Sequence, residues 1–215
     1  MKTYVATSNP GKLRELKALF AKSPLQIVTP RKLPALDVVE DAQTYAGNAM
    51  LKAQALASAL RERHVSAAVL ADDSGLEVDA LGGRPGIHSA RYGGSEVAWP
   101  ARRAALLQEL RGIPPYRRTA RFVSVLVLIP AHGEPTIARG EVDGYILEAE
   151  NGTGGFGYDA LFLHMPSGRS FAALSEKEKN AVSHRHHAAQ ALLEALGESK
   201  EAQPDGDSGS PQLFR

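Results

Sequence analysis

The stretch Ala71-Asp72-Asp73-Ser74-Gly75-Leu76-Glu77-Val78 sets two adjacent carboxylates and a hydroxyl directly after the apolar run Ala67-Ala68-Val69-Leu70-Ala71. That run reads as a buried strand, and the acids as its end. In open α/β sheets, ligands bind beyond the carboxyl ends of the strands. Two acids held there are costly to bury unless a cation joins them. An oxygen-only site of this kind suits Mg²⁺, which takes one or two carboxylates plus substrate phosphates. Neighbouring acids push each other's pKa apart, so either Asp72 or Asp73 suits work as a general base. The same residue types also make an ordinary Asp-rich turn, and the rest of the chain decides between the two.

Four other stretches carry candidate chemistry. Thr7-Ser8-Asn9-Pro10-Gly11-Lys12 lies between a strand and a helix, where helix N–H groups and the positive dipole end favour an anion. The spacing is not that of a Walker A loop, and an ordinary turn remains the alternative. Asn48 and Lys52 are four apart on one helix face, so Lys52 meets the same anion as Lys12 if that face looks at the first loop; otherwise it is a solvated lysine. Between Gly82 and Gly94, five glycines and one proline are interleaved with Arg84, His88, Arg91 and Tyr92, a long irregular loop of the kind that is functional or disordered. Gly152-Thr153-Gly154-Gly155-Phe156-Gly157-Tyr158-Asp159 lets backbone approach a ligand closely. Phe156 and Tyr158 there are either core aromatics or stacking faces for a base.

These stretches need elements to position them. Strands are expected at 2–6, 25–28, 67–71, 120–129, 136–147 and 160–163, the fourth and fifth forming a hairpin. A helix after Gly11 buries Leu13, Leu16 and Phe20. One over 44–61 buries Tyr45, Ala49, Ala53, Leu56 and Leu60, and one over 96–110 buries Val97, Ala101, Ala104 and Leu107. Residues 30–42 read as mostly loop. The capping-box pattern Ser175-Glu176-Lys177-Glu178 starts a last helix carrying Lys179 and Ser183-His184-Arg185-His186-His187, with Gly197 as its stop. The expectation is one domain over 1–197 and a polar, disordered tail over 198–215. The fold class is α/β, a mixed central sheet flanked by helices, with a cleft between two lobes.

The chain has 215 residues, 43% hydrophobic and 23% charged, with a net charge of +1 and no cysteine. This is the composition of a soluble globular protein. It argues against a general nucleic-acid binder, excludes thiol chemistry and disulfides, and fits a reducing cytoplasm. No apolar stretch reaches membrane-spanning length, and the first residues enter a strand without a signal-peptide pattern. The three clustered histidines lack the further ligand spacing of a zinc site.

Together, the first loop, Asn48-Ala49-Met50-Leu51-Lys52-Ala53, Asp72-Asp73-Ser74-Gly75-Leu76, Leu81-Gly82-Gly83-Arg84-Pro85-Gly86 with Ser89-Ala90-Arg91-Tyr92, Gly155-Phe156-Gly157-Tyr158-Asp159 and Ser183-His184-Arg185 resemble the Ham1-like inosine triphosphate pyrophosphatases. The resemblance implies Mg²⁺-dependent hydrolysis of ITP, dITP and XTP to the monophosphate and pyrophosphate by a homodimer. It implies Asp73 as proton acceptor and metal ligand, and Glu40, next to Asp41, as a second metal carboxylate. It implies substrate contacts from Thr7, Ser8, Asn9, Pro10, Gly11, Lys12, Ser74, Phe156, Gly157, Tyr158, Asp159, Lys179, His184 and Arg185. Many members carry an acid directly before Asn48, where this chain has Gly47. On this reading Lys12, Lys52 and Lys179 hold the triphosphate, Phe156 or Tyr158 stacks on the base, and His184 and Arg185 donate to its 6-oxo group. The rivals are a Maf-like pyrophosphatase with another base preference and a nucleotide sensor without turnover. A haloacid-dehalogenase phosphatase is discounted because the first strand runs into Thr7-Ser8-Asn9 rather than an Asp-x-Asp pattern.

Overall fold

The computed structural model describes residues 1–30, 38–94 and 96–201, with 198–201 as backbone only. In chain order the elements are β1 (Lys2–Ala6), α1 (Pro10–Leu19), β2 (Gln26–Val28), α2 (Tyr45–Arg61), β3 (Ala68–Val78), α3 (Trp99–Glu109), β4 (Thr119–Ile129), β5 (Thr136–Ile146), β6 (Phe162–His164), β7 (Arg169–Ser170), α4 (Glu176–Asn180) and α5 (His184–Glu201). The strands form one mixed sheet in the order β2-β1-β3-β4-β5-β6-β7. β1 is parallel to both β2 and β3, and every later pairing is antiparallel.

The chain leaves β1 in one direction to make β2 and returns past it to make β3. Right-handed crossovers then put α1 and α2 on opposite faces. Leu16 and Phe20 of α1 accordingly pack with Val5, Leu70 and the α5 residues Ala188 and Leu192. Ala49, Ala53 and Leu56 of α2 pack with Val69 and Ala71 on the other side. α3 closes the far end of the α1/α5 face through Leu106 and Leu110, which meet Leu76, Val78 and Phe122.

The acids do not end their strand. β3 runs through them for 11 residues. What ends there is β1, whose last pairing is Ala6 with Ala71, while β3 stays paired to β4 as far as Val78 with Ala120. Beyond Ala71 the β1 edge of β3 first faces a cavity, at Asp72 to Ser74, and is then covered by residues 84–89, where Glu77 bridges Pro85. Side chains alternate along a strand, so Asp72 and Ser74 share the α1/α5 face with Leu70, and Asp73 shares the α2 face with Ala71.

Three further expectations are corrected. The last helix is two: α4 ends at Asn180, and Ser183, whose Oγ accepts from the His186 N–H at 3.2 Å, caps a new helix. Gly197 does not stop α5, which continues to Glu201; residues 202–215, like 31–37 of the expected loop, lie outside the described residues. α3 turns a different face inward: Arg102, Leu106 and Leu110 are buried, whereas Ala101 and Ala104 are exposed. The capping box on Ser175, the inward face of α2 and the β4–β5 hairpin are as the residue pattern predicts.

α5 sits so close to β5 that a Cβ on Gly140 would lie 2.7 Å from the His187 carbonyl carbon and nearer still to the His184 carbonyl oxygen. Gly140→Ala is therefore expected to cost about 1–3 kcal/mol of stability through overpacking, read as a lower denaturant midpoint with an unchanged slope. An unchanged midpoint would show that α5 is not held this tightly.

Candidate functional site

A cavity of about 770 Å³ opens where β1 stops, lined by the loop after β1, the middle of β3, the start of α5 and the glycine loop around Phe156. That volume falls in the range of small-molecule sites. A second cavity of about 750 Å³ lies against β5 and is lined by Asp79, Glu141 and Asp143. Among the described residues no lysine or arginine lines it, whereas the first cavity sets Lys12, Lys52, Arg91 and Arg185 beside Glu40, Asp72, Asp73 and Asp159.

The first loop is built differently from expectation. Asn9 caps α1, its Oδ1 accepting from the Gly11 and Lys12 N–H groups at 2.9 and 3.1 Å, and Thr7 Oγ1 accepts from the Asn9 N–H at 3.2 Å. Pro10 has no N–H to offer. Those two helix donors are already used, so the cationic contribution of this loop is the Lys12 side chain. Its Nζ lies 2.8 Å from Asp72. Burial depresses the Lys12 pKa, with Lys52 and Arg185 pushing the same way against the pull of Asp72.

Asp72 and Asp73 have opposite environments. Asp72 accepts from Ser124 Oγ at 2.6 Å, Ser74 Oγ at 3.4 Å and Arg185 Nε at 3.3 Å, besides pairing with Lys12. Burial opposes its charge, but Lys12 and Arg185 overcome that and hold its carboxyl well below the usual range. Asp73 meets Lys52 Nζ at 2.7 Å through Oδ1, while its buried Oδ2 has no partner among the described residues. Burial raises the Asp73 pKa against the pull of Lys52 and Lys12. The two pKa values do move apart, but burial and cations separate them; mutual repulsion is a minor contributor because the two side chains leave opposite faces. This asymmetry leaves Asp73 as the carboxylate with a free oxygen.

Glu40 lines the same cavity, 3.5 Å from Lys52 Nζ, and its backbone oxygen accepts from Arg91 at 3.2 Å. Asp73 Oδ2 and the Glu40 carboxylate form an oxygen-only donor pair. Among the described residues no group of three or more His, Cys, Asp or Glu side chains converges. A hard cation that completes its shell with water and substrate phosphates fits this set; an all-protein cage does not. Gly47 brings no further ligand. A Cβ there would lie 2.6 Å from Ala42 Cβ and 3.1 Å from Thr44 Oγ1, so an acidic residue would not fit without a shift.

Behind Asp72, a buried network joins α1, α4, α5 and the glycine loop. Glu15 pairs with both Lys179 and Arg185, and Lys179 also pairs with Asp159. Asp159 in turn accepts from the Phe156 N–H at 2.7 Å. Glu15, Asp72 and Asp159 balance Lys12, Lys179 and Arg185, which is how six ionised groups remain inside. Lys179 is thus 4% exposed and sits within this network rather than among the residues that line the cavity. Arg185 is committed through Nε to Asp72, through one terminal nitrogen to Glu15 and through the other to Ser74 at 2.8 Å. Lys179 and Arg185 both lie against the Phe156 ring, 4.7 and 5.4 Å from its centroid.

At the aromatic end, Tyr158 is 2% exposed with its hydroxyl donating to Ser89 O at 3.3 Å, whereas Phe156 is half-buried and lines the cavity. His184 stacks on Phe122 at 4.8 Å, and its Nδ1 is buried without a partner among the described residues. Burial, assisted by Arg185 and Lys179, holds the His184 pKa well below 6.5, so the ring is neutral. The residue pattern overlooked Glu15, Ser124, Phe122 and Trp99. Glu15 was detectable as the i+3 neighbour of Lys12 on α1; Ser124 becomes relevant only through its cross-strand register with Ser74.

The Ham1 family model matches residues 3–195. A dITP/XTP pyrophosphatase of Geobacillus kaustophilus is 49% identical over 184 residues, 84% of this chain and 87% of that protein. One from Thermus thermophilus is 45% identical over 195 residues, 91% of each. The structure of the Staphylococcus aureus Ham1 protein superposes with a TM-score of 0.79 at 36% identity, covering 93% of this chain and all of that one.

The two aspartates should respond oppositely to neutralisation. Asp72→Asn strands Lys12 and Arg185 and is expected to cost about 3 kcal/mol at neutral pH. A depressed pKa contributes stability above the ordinary carboxylate value, so the deficit should shrink as pH falls below about 4. Asp73→Asn should lose no thermal stability, because a raised pKa makes the ionised carboxylate a cost once pH exceeds its ordinary value. Equal losses in the two variants would contradict the assignment.

Proposed function

This chain belongs to the Ham1 family, and on that premise we propose that it hydrolyses ITP, dITP and XTP to the monophosphate and pyrophosphate. The observation that carries the reading is the free, buried Oδ2 of Asp73, set beside Lys52 and Glu40 at the edge where β1 ends. Two relatives covering most of their length bear the name dITP/XTP pyrophosphatase.

Lys12 and Lys52 grip the triphosphate from opposite faces of β3, aided by Thr7 and Ser8 at the mouth. This holds the α-phosphorus near Asp73, and positioning with charge neutralisation is most of what such a transfer needs. Asp73 takes a proton from the attacking water as its oxygen bonds to the α-phosphorus. The bond from that phosphorus to the bridging oxygen breaks, and pyrophosphate leaves with the electron pair. In the metal-free protein burial makes Asp73 a stronger base than an ordinary carboxylate. Asp73 and Glu40 would hold Mg²⁺, which when bound supplies charge stabilisation on the phosphate oxygens. Asp72 keeps Lys12 and Arg185 in place and takes no proton.

Base choice is assigned to the aromatic end. The half-buried ring of Phe156 stacks the purine, and neutral His184 offers one unpaired ring nitrogen to its edge. Hypoxanthine and xanthine present an O6 acceptor beside an N1–H donor, and adenine presents the reverse. A pocket built for one pattern rejects the other by up to ~10⁴-fold. The reading includes a homodimer in the cytoplasm, and no helix among the described residues is long and apolar enough to cross a membrane.

Purified protein with Mg²⁺ should release pyrophosphate from ITP, dITP and XTP and leave ATP nearly untouched; preference for a pyrimidine triphosphate would favour the Maf-like alternative. Asp73→Asn should lower kcat by about 10²–10⁴-fold, and full activity in that variant would remove Asp73 from its role.

A further inference from the structure

Nothing in the residue pattern of α3 marks it as part of a site, yet this helix reaches both glycine-rich loops. Arg103 donates to Gly157 O at 3.0 Å while Glu150 holds its other side at 2.8 Å. Arg102 donates to Tyr92 O at 2.9 Å. At the head of the same helix, the Trp99 indole stands edge-on to Tyr158, with centroids 5.4 Å apart at 84°, and the Arg102 guanidinium lies 5.5 Å from the indole ring. Trp99 is half-buried and lines the cavity. Gly157 has a φ of 65°, and a Cβ there would lie 3.6 Å from the indole, so the ring faces the side of Gly157 that carries no side chain. The indole is held by two neighbours and leaves part of its surface toward the cavity.

The charged groups Lys12, Lys52, Asp73 and Glu40 claim one end of the cavity, leaving the aromatic end for the flat part of a ligand. We propose that Trp99 is the outer wall of the nucleobase subsite and touches the bound purine, which makes the start of α3 a determinant of substrate affinity. This rests on the nucleotide reading above and adds to it a residue outside the segments that carry the family resemblance. A purine covers apolar indole surface that water otherwise wets, and base–aromatic contacts of this kind tolerate any base with a π face. Trp99 therefore strengthens binding of all purine substrates alike, while discrimination among bases stays with groups such as His184.

Trp99 is the chain's only tryptophan, so its emission reports this wall alone. Wild-type protein is titrated with inosine 5′-monophosphate and, separately, with inorganic pyrophosphate, and binding of each is followed in parallel by calorimetry. The proposal expects a saturable emission change with the monophosphate and none with pyrophosphate. Monophosphate binding without an emission change, or an equal change with pyrophosphate, overturns it. In steady-state assays Trp99→Ala should raise KM for ITP roughly tenfold with kcat within about twofold, and Trp99→Phe should restore most of the loss. An unaltered KM, or a fall in kcat alone, also overturns it. If Trp99→Ala does not fold, the wild-type titration still decides. Failure of the nucleotide reading has a separate sign, wild-type protein that leaves ITP intact.

Discussion

The site depends on one geometric fact: successive side chains on a strand leave opposite faces, and β1 stops one residue short of the paired acids. Asp72 is thereby committed to the α1/α5 side, where two cations and two hydroxyls saturate it. Asp73 is committed to the α2 side, where Lys52 satisfies one oxygen and leaves the other open. A one-residue slip of β3 against β4 would exchange the two environments. The register is held by ten cross-strand pairs from Val69 to Val78.

The charge network follows from that commitment. A carboxylate 1% exposed on the α1/α5 face needs cations, and Lys12 and Arg185 supply them. Arg185 needs a second acid, which is Glu15, and Glu15 brings in Lys179, which brings in Asp159. The last link accepts the Phe156 N–H, so the chain of pairs that begins at β3 ends by fixing the aromatic of the glycine loop. Buried ion pairs of this kind add little stability over an apolar core but are costly to break one at a time. Their consequence here is geometric: the charged end and the aromatic end of the cavity are parts of one connected structure. The tight seat of α5 on Gly140 holds His184 and Arg185 at the same point.

Much of this was legible in the residues. Alternating and helical periodicities located β1, α1, α2, β4 and β5, since each has one face to bury, and the clustered Gly, Asp and Lys segments do line one cavity. Three things were not legible, each for a physical reason. The apolar run before Asp72 gave no sign that the strand continues, because polar residues are tolerated in a strand once a neighbour leaves and opens a cavity. The burial of Lys179 was not legible because partners as remote in sequence as Glu15 and Asp159 leave no local pattern. Trp99 and the inward face of α3 were missed because Arg102 is buried by donating to a loop carbonyl, which a hydrophobic period does not register.

The division of labour between the two aspartates is tested most directly by carbon-13 NMR of the side-chain carboxyls, assigned with Asp72→Asn and Asp73→Asn, across a pH titration of the metal-free protein. The account predicts that Asp73 titrates above the ordinary carboxylate value of 3.8 while Asp72 stays ionised to the lowest pH at which the fold survives. Titration of Asp72 at or above Asp73 would contradict it.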